Sequence, residues 1–192
     1  MQTQDNKKPL DILGVLMEHI PDNVLLEPIE YIFADHCRQR DLCNALQELA
    51  VRSASTVIGP QPAQVILSCL KHDLPLHIED EEKDLFPLLL KRAEPQDKIE
   101  DIIRLLGSEH QRDRELVNEV TIGLKEIAAG QPLSEPSAFR TAAEVLASSH
   151  MSHMNWENAV VLELARRRLG ADDQQAMAQN MAARRGIKLP ID

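Results

Sequence analysis

Four stretches of this chain place apolar residues at the spacing of one helix face, and each of the four stripes is interrupted by histidine. The first reads Ile29, Ile32, Phe33, His36, Cys43 and Leu46. The second reads Ile66, Cys69, Leu70, His77, Glu81, Leu85 and Leu88, and the third Ile99, Ile103, Leu106, His110, Val117, Val120 and Leu124. The fourth reads Ala143, Leu146, His150, His153, Glu157, Val160 and Leu164. These follow the i, i+3, i+4, i+7 rule of a buried helical face, and nothing alternates like a strand. A chain so patterned has to pack helices around a shared interior that contains imidazoles.

The breakers place the helix ends. Asp11 to Glu18 reads as a short first helix. Asp22 or Asn23 caps a first long helix that runs to about Ser55, with Pro28 in its early part. The second starts at Gln61 to Ala63 and runs to about Ala93. Pro75 and Pro87 lie inside it, each removing a backbone donor and crowding the carbonyl four residues earlier, so a bend is expected near Lys71 to His77. The third opens with Pro95 in its first turn and stops at Gly130. The fourth starts near Ser134 and ends in Arg166-Arg167-Arg168 before Gly170, a basic last turn suited to the negative end of the helix dipole. A final short helix is expected at about Asp172 to Arg185, outside the others.

Helices of about 30 residues are about 45 Å long at 1.5 Å per residue, and short connections make sequential neighbours antiparallel. The expected fold is all-α, an up-down-up-down four-helix bundle with short flanking helices. Residues 1–21 form a lead-in, 22–170 the bundle, and 171–192 a short helix and tail.

Bulk properties exclude several functions. A formal net charge of −10 repels nucleic-acid phosphates and anionic lipid heads, so neither is expected as a partner. The N-terminus MQTQDNKKPLDIL has no secretory h-region, and no apolar run reaches the roughly 18 residues of a membrane helix. Cys37, Cys43 and Cys69 lack CxxC spacing and suit a reducing compartment. A cytoplasmic location is expected.

The second and fourth stripes repeat one device, His-x-x-x-Glu: His77 with Glu81 and His153 with Glu157. Four residues is about one turn, so each pair points one way. An imidazole and a carboxylate one turn apart can grip one metal, and the second carboxylate oxygen can reach another. Burying an unpaired carboxylate costs several kcal/mol. Lys and Arg are nearly absent from these stripes, so a pair of divalent or trivalent cations is the natural counter-charge. Neutral imidazole with carboxylate suits iron or manganese, whereas softer sites use thiolate. Cys43, Cys69, Met151 and Met154 read as core filling. His19 and His72 read as solvated, and the acids of 79–82 other than Glu81 as a solvated face. His150 shares the face of His153, which leaves either ligation or outer support open. Asp73, one turn before His77, is placed to orient that ring.

The order His, His-x-x-x-Glu, His, His-x-x-x-Glu, with Asp35-His36, Arg40, Leu42, HIEDEEKDLFPLL and Glu109-His110, resembles the hemerythrin-like cation-binding family over about residues 28–168. The resemblance implies His36, His77, His110 and His153 as terminal iron ligands. Glu81 and Glu157 would bridge two non-haem irons beside an oxo or hydroxo bridge from solvent, with manganese or zinc as possible substitutes. Two departures stand out. Arg114 occupies the place of the second third-helix His of the oxygen carriers, and Glu157 stands where they have an Asp-type bridge. With fewer imidazoles, one iron has open positions or recruits His150 or Glu109. The expected function is therefore binding of dioxygen, nitric oxide or peroxide in sensing, scavenging or stress response. An iron donor or buffer is the alternative, and a metal-stabilised helical interaction module a third reading.

Overall fold

A computed structural model describes residues 13–53 and 58–189; the N-terminal lead-in before Leu13 and the expected end of the first long helix at Ser55 lie outside them. The described residues are helical with no strand. In chain order they form α1 (Leu13–Met17), a 3-10 turn (Asp22–Leu26) and α2 (Pro28–Ser53). Residues 60–92 then run as one helical stretch, made of α3 (Pro60–Ser68), a π-turn (Cys69–Asp73), α4 (Leu74–Asp80), a second π-turn (Glu81–Leu85) and α5 (Phe86–Arg92). After a 3-10 turn at Pro95–Asp97 comes α6 (Ile99–Ala128). The stretch 136–168 holds α7 (Pro136–Trp156), a third π-turn (Glu157–Val161) and α8 (Leu162–Arg168), and α9 (Ala171–Arg184) closes the chain.

Several expected ends move. Asp22 opens the 3-10 turn and does not cap α2, which begins at Pro28, where a residue without an N–H costs no hydrogen bond. Pro95 likewise starts a separate 3-10 turn; Lys98, with φ of +49°, turns the chain before α6. The 136–168 stretch begins at Pro136, two residues after Ser134. Gly130 ends α6 as expected: its φ is +70°, it donates to Ile127 O, and Gln131 donates to Glu126 O, the two bonds of a Schellman cap.

Where a bend is expected near Lys71 to His77, the structure has a π-turn at Cys69–Asp73. The other two were not anticipated, and they correct the apolar stripes. In the second stripe Leu89 is fully buried and Leu88 only half-buried; in the fourth, Val161 is fully buried and Val160 half-buried. The buried positions run His77, Glu81, Leu85, Leu89 and His153, Glu157, Val161, Ala165, always four apart. An α-helix with 3.6 residues per turn drifts by about 40° at each four-residue step. A π-turn, bonded i to i−5, adds a residue and cancels the drift. Phe33, also placed in a stripe, is 42% exposed and lies under the Arg166 guanidinium.

Contacts between long stretches run in opposite chain directions. Asp97 meets Arg168, His110 meets His153, Asp113 meets His150, and Gly123 meets Phe139. Against α2, Arg166 meets Glu30, Asn158 meets His36, and His150 meets Gln39. At the Gly123 crossing a Cβ would stand 2.4 Å from the Phe139 ring, so only glycine allows this approach.

Aliphatic side chains form two separate interiors. One gathers Leu46, Leu49, Ile66, Leu74, Leu124 and Leu146. The other gathers Leu25, Ile32, Leu85, Leu89, Leu106 and Leu162. In α2, α6 and the 136–168 stretch the histidine falls between the residues given to one interior and those given to the other; in the 60–92 stretch Ile78 of the first interior follows His77, and Glu81 marks the change to the second. The polar centre therefore occupies the middle of the fold, walled above and below by hydrocarbon.

Candidate metal centre

His36, His77, Glu81, His110, His153 and Glu157 come together between the two apolar interiors, each no more than 1% exposed. They fall into two groups of four donors, His36, His77, Glu81, Glu157 and Glu81, His110, His153, Glu157, with the donor atoms of each group within 4.8 Å of one another. The two glutamates belong to both groups. Glu81 lies 3.4 Å from His36 Nε2, 3.2 Å from His77 Nε2 and 3.3 Å from His110 Nε2. Glu157 Oε2 lies 3.3 Å from His36 Nε2 and 3.1 Å from His153 Nε2. Each glutamate is also the first residue of a π-turn, the kind of local widening that recurs at functional sites. The turn at 157–161 has no proline near it. Its cause is the four-residue spacing of buried donors and apolar residues, whereas Pro75 and Pro87 follow the other two.

The outer contacts fix every ring. His36 Nδ1 donates to Asn158 Oδ1 at 2.7 Å and His77 Nδ1 to Asp35 Oδ2 at 3.1 Å. His110 Nδ1 donates to Glu82 Oε1 at 3.0 Å and His153 Nδ1 to Glu109 Oε2 at 2.8 Å. Because the partners are acceptors, the proton of each neutral ring sits on Nδ1, and all four Nε2 lone pairs face inward. Two of them, on His110 and His153, are 3.0 Å apart. Glu157 Oε1 and Oε2, Glu81 Oε2 and His77 Nε2 are buried without a hydrogen-bond partner. Lone pairs and carboxylate oxygens converging in hydrocarbon demand positive charge. Donors about 2.1 Å from one ion at right angles stand about 3.0 Å apart, close to the separations observed, and four imidazoles with two carboxylates suit iron, manganese or zinc.

Protons meet that demand in the metal-free chain. Burial opposes charge on His36, but Glu157 and Glu81 outweigh it and push the imidazole up to about 10. Burial is likewise overcome at His153, raised to about 9 chiefly by Glu157. Against burial, His77, His110 and His36 hold Glu81 well below the usual carboxylate range. A raised folded-state value stabilises fully below the unfolded value of 6.5 and is lost as pH climbs through the folded one. The metal-free chain should therefore lose thermal stability between about pH 6.5 and 10, by at least about 2–4 °C for each kcal/mol of linkage. A melting series by circular dichroism with chelator checks this, and a flat profile over that window would contradict the proton account.

His150 is not one of the converging donors. Its Nδ1 faces Asp113 Oδ2 at 2.8 Å and its Nε2 faces Gln39 Oε1, while Gln39 Nε2 donates to Asp35 Oδ2 at 3.0 Å. Both ring nitrogens are engaged, so none is free for a cation. The chain Asp113, His150, Gln39, Asp35 runs to the outer nitrogen of His77. Gln39 and Asp113, both buried, were not anticipated; the sequence clue was two polar residues inside apolar stripes. Glu109 supports His153 from outside. Asp35 orients His77, and Asp73 instead accepts from Arg38 at 3.3 Å. Asp80, expected in a solvated face, is 1% exposed and paired with Arg184 and Arg185. His19 and His72 are exposed. Burial pushes the Cys43 thiol up to about 12 and Cys69 up to about 11, so neither supplies thiolate at neutral pH.

An all-helical fold that buries imidazoles and carboxylates in two adjoining clusters defines a helical metal-binding protein. Comparison with known families agrees: the sequence model of the hemerythrin HHE cation binding domain matches residues 27–165. The chain belongs to this family. It is also 30% identical over 165 residues to an uncharacterized protein of Haemophilus influenzae, an alignment covering 84% of this chain and 92% of the relative. The helix α9 lies beyond the family match.

Proposed function

We propose that this chain is a non-haem di-iron protein that binds dioxygen, nitric oxide or peroxide in sensing, scavenging or stress response. The observation that carries the reading is the pair of four-donor groups sharing two carboxylates. His36 and His77 would hold one ion, His110 and His153 the other, and Glu81 and Glu157 would span both. The opposed chain directions of the contacts support an up-down-up-down four-helix order within residues 22–170, flanked by the segments 1–21 and 171–192. An iron pair supplies one-electron chemistry and positions for a small ligand.

The residues of the chain do the rest. Asp35, Asn158, Glu82 and Glu109 aim the four Nε2 atoms inward, and the two aliphatic interiors exclude bulk water. Six protein donors for two ions leave room for an exogenous ligand, and Arg114, exposed beside Glu82, cannot add an imidazole. Such burial favours tight retention over the lability an iron donor needs. Among the described residues no helix is long and apolar enough to cross a membrane. Three free cysteines support a reducing cytoplasmic setting, and the net charge of −10 disfavours nucleic acid and membrane surfaces as partners.

The test is anaerobic reconstitution with ferrous iron. After desalting, about two irons per chain should remain, and nitric oxide should change the absorption spectrum. Retention of fewer than about one iron, or a spectrum indifferent to nitric oxide, overturns the proposal.

A further inference from the structure

A groove of about 480 Å³ lies on the surface between the 60–92 stretch and α6, apart from the buried centre. It lies beside the widened turn at Cys69–Asp73 and the Pro75 that follows it. Its floor is hydrocarbon: Leu74 and Ile78 from one side and Val117 from the other. Lys71, Arg114 and Lys125 stand on its lining. Glu79 is the one acid among the lining residues, and it is already paired with Lys83 at 2.9 Å.

In a chain with a net charge of −10, three cations gathered on one groove are a local inversion of sign. Among the described residues, Lys71 and Lys125 have no ion-pair partner. Arg114 gives one nitrogen to Glu82 at 2.8 Å, and a guanidinium has five N–H groups, so donors remain. Asn118 and Thr121 add neutral hydrogen-bonding groups to the rim.

From this we infer that the groove is a binding site for a small amphipathic monocarboxylate. Its alkyl body covers the floor of Leu74, Ile78 and Val117, and its carboxylate meets Lys71 and Lys125 at one end of the groove; Arg114, about 16 Å from Lys125 along α6, marks the other end and is not reached by the same carboxylate. Inorganic phosphate would satisfy the cations and leave the floor wet. A neutral alkyl chain would do the reverse. The site does not depend on whether the buried centre holds a cation, although Arg114 touches Glu82, which in turn accepts from His110 Nδ1.

The test uses octanoate as the probe and the full chain as purified, by isothermal titration calorimetry at low ionic strength. The expected result is saturable binding near one per chain, weakened about tenfold in the double variant Lys71→Ala, Lys125→Ala. Octanol and inorganic phosphate should each bind more weakly than octanoate. Both lysines are exposed and neither belongs to the converging donors or pairs with one of them, so iron content and circular dichroism of the double variant should match the parent, which separates this result from failure of the di-iron reading. Absence of saturable octanoate binding, binding undiminished in the double variant, or octanol binding as tightly as octanoate overturns the inference.

Discussion

Glu81→Gln should empty both cation positions together, whereas His77→Ala should empty one. Glu81 is common to both four-donor groups and approaches three imidazole nitrogens, while His77 belongs to one group only. Glutamine keeps the volume and can donate its amide hydrogens to the inward Nε2 atoms, so packing survives. What it removes is one of the two negative charges that the proposed pair of cations would face. The expected loss of affinity is at least about a hundredfold, beyond the 10–100-fold typical of changing an outer partner. In the His77→Ala chain, Glu81, His110, His153 and Glu157 remain as four donors for one ion. Elemental analysis after anaerobic reconstitution separates the cases. A Glu81→Gln chain that still holds one tight ion would show that the carboxylate is not shared.

The second large effect lies outside the family match. Removing the last arginine of α9 and the one that follows it, as Arg184→Gln with Arg185→Gln, should destabilise the chain by about 3–5 kcal/mol, the usual result of stranding a buried charge. Asp80 and Asp84 are buried beside Glu81, and both accept from these guanidiniums; Arg185 Nε also donates to Tyr31 at 3.1 Å. At about 2–4 °C per kcal/mol the melting temperature should fall on the order of 10 °C. Burial, partly offset by Arg185 and Arg184, already raises Asp80 above the ordinary carboxyl value. Without the arginines Asp80 can escape the penalty by protonating, so the loss should be smaller at pH 5 than at pH 8. Arg166→Gln is the control: its pair with Glu30 is exposed and worth less than about 1 kcal/mol. A double variant that melts within about 2 °C of the parent would mean that α9 is not held by these pairs.

Much of the centre was legible because its chemistry conflicts with its surroundings. A histidine or glutamate inside an apolar stripe has no cheap explanation, and the second and fourth stripes state the conflict twice with the same spacing. Outer partners were less legible. Asp35 and Asp73 both lie where they can be imagined beside His77, and only the packing of α2 against the 60–92 stretch selects Asp35. His150 shares a helix face with His153, yet Gln39, more than a hundred residues earlier in the chain, takes its second nitrogen. Periodicity at 3.6 residues also misassigned Leu88 and Val160. The repeated four-residue step through His77, Glu81 and Leu85 already implied a wider turn.

By itself the sequence determined the helical class, the stretches that form helices and the six polar residues forced inside, because helix periodicity and the cost of burying charge are local, additive quantities. Only the tertiary structure decided which nitrogen of each ring faces inward, where the π-turns fall, and that α9 clamps Asp80 and Asp84. Those depend on which side chains from distant segments arrive at the same place, and a ring or a carboxylate takes its orientation from the partner it meets there.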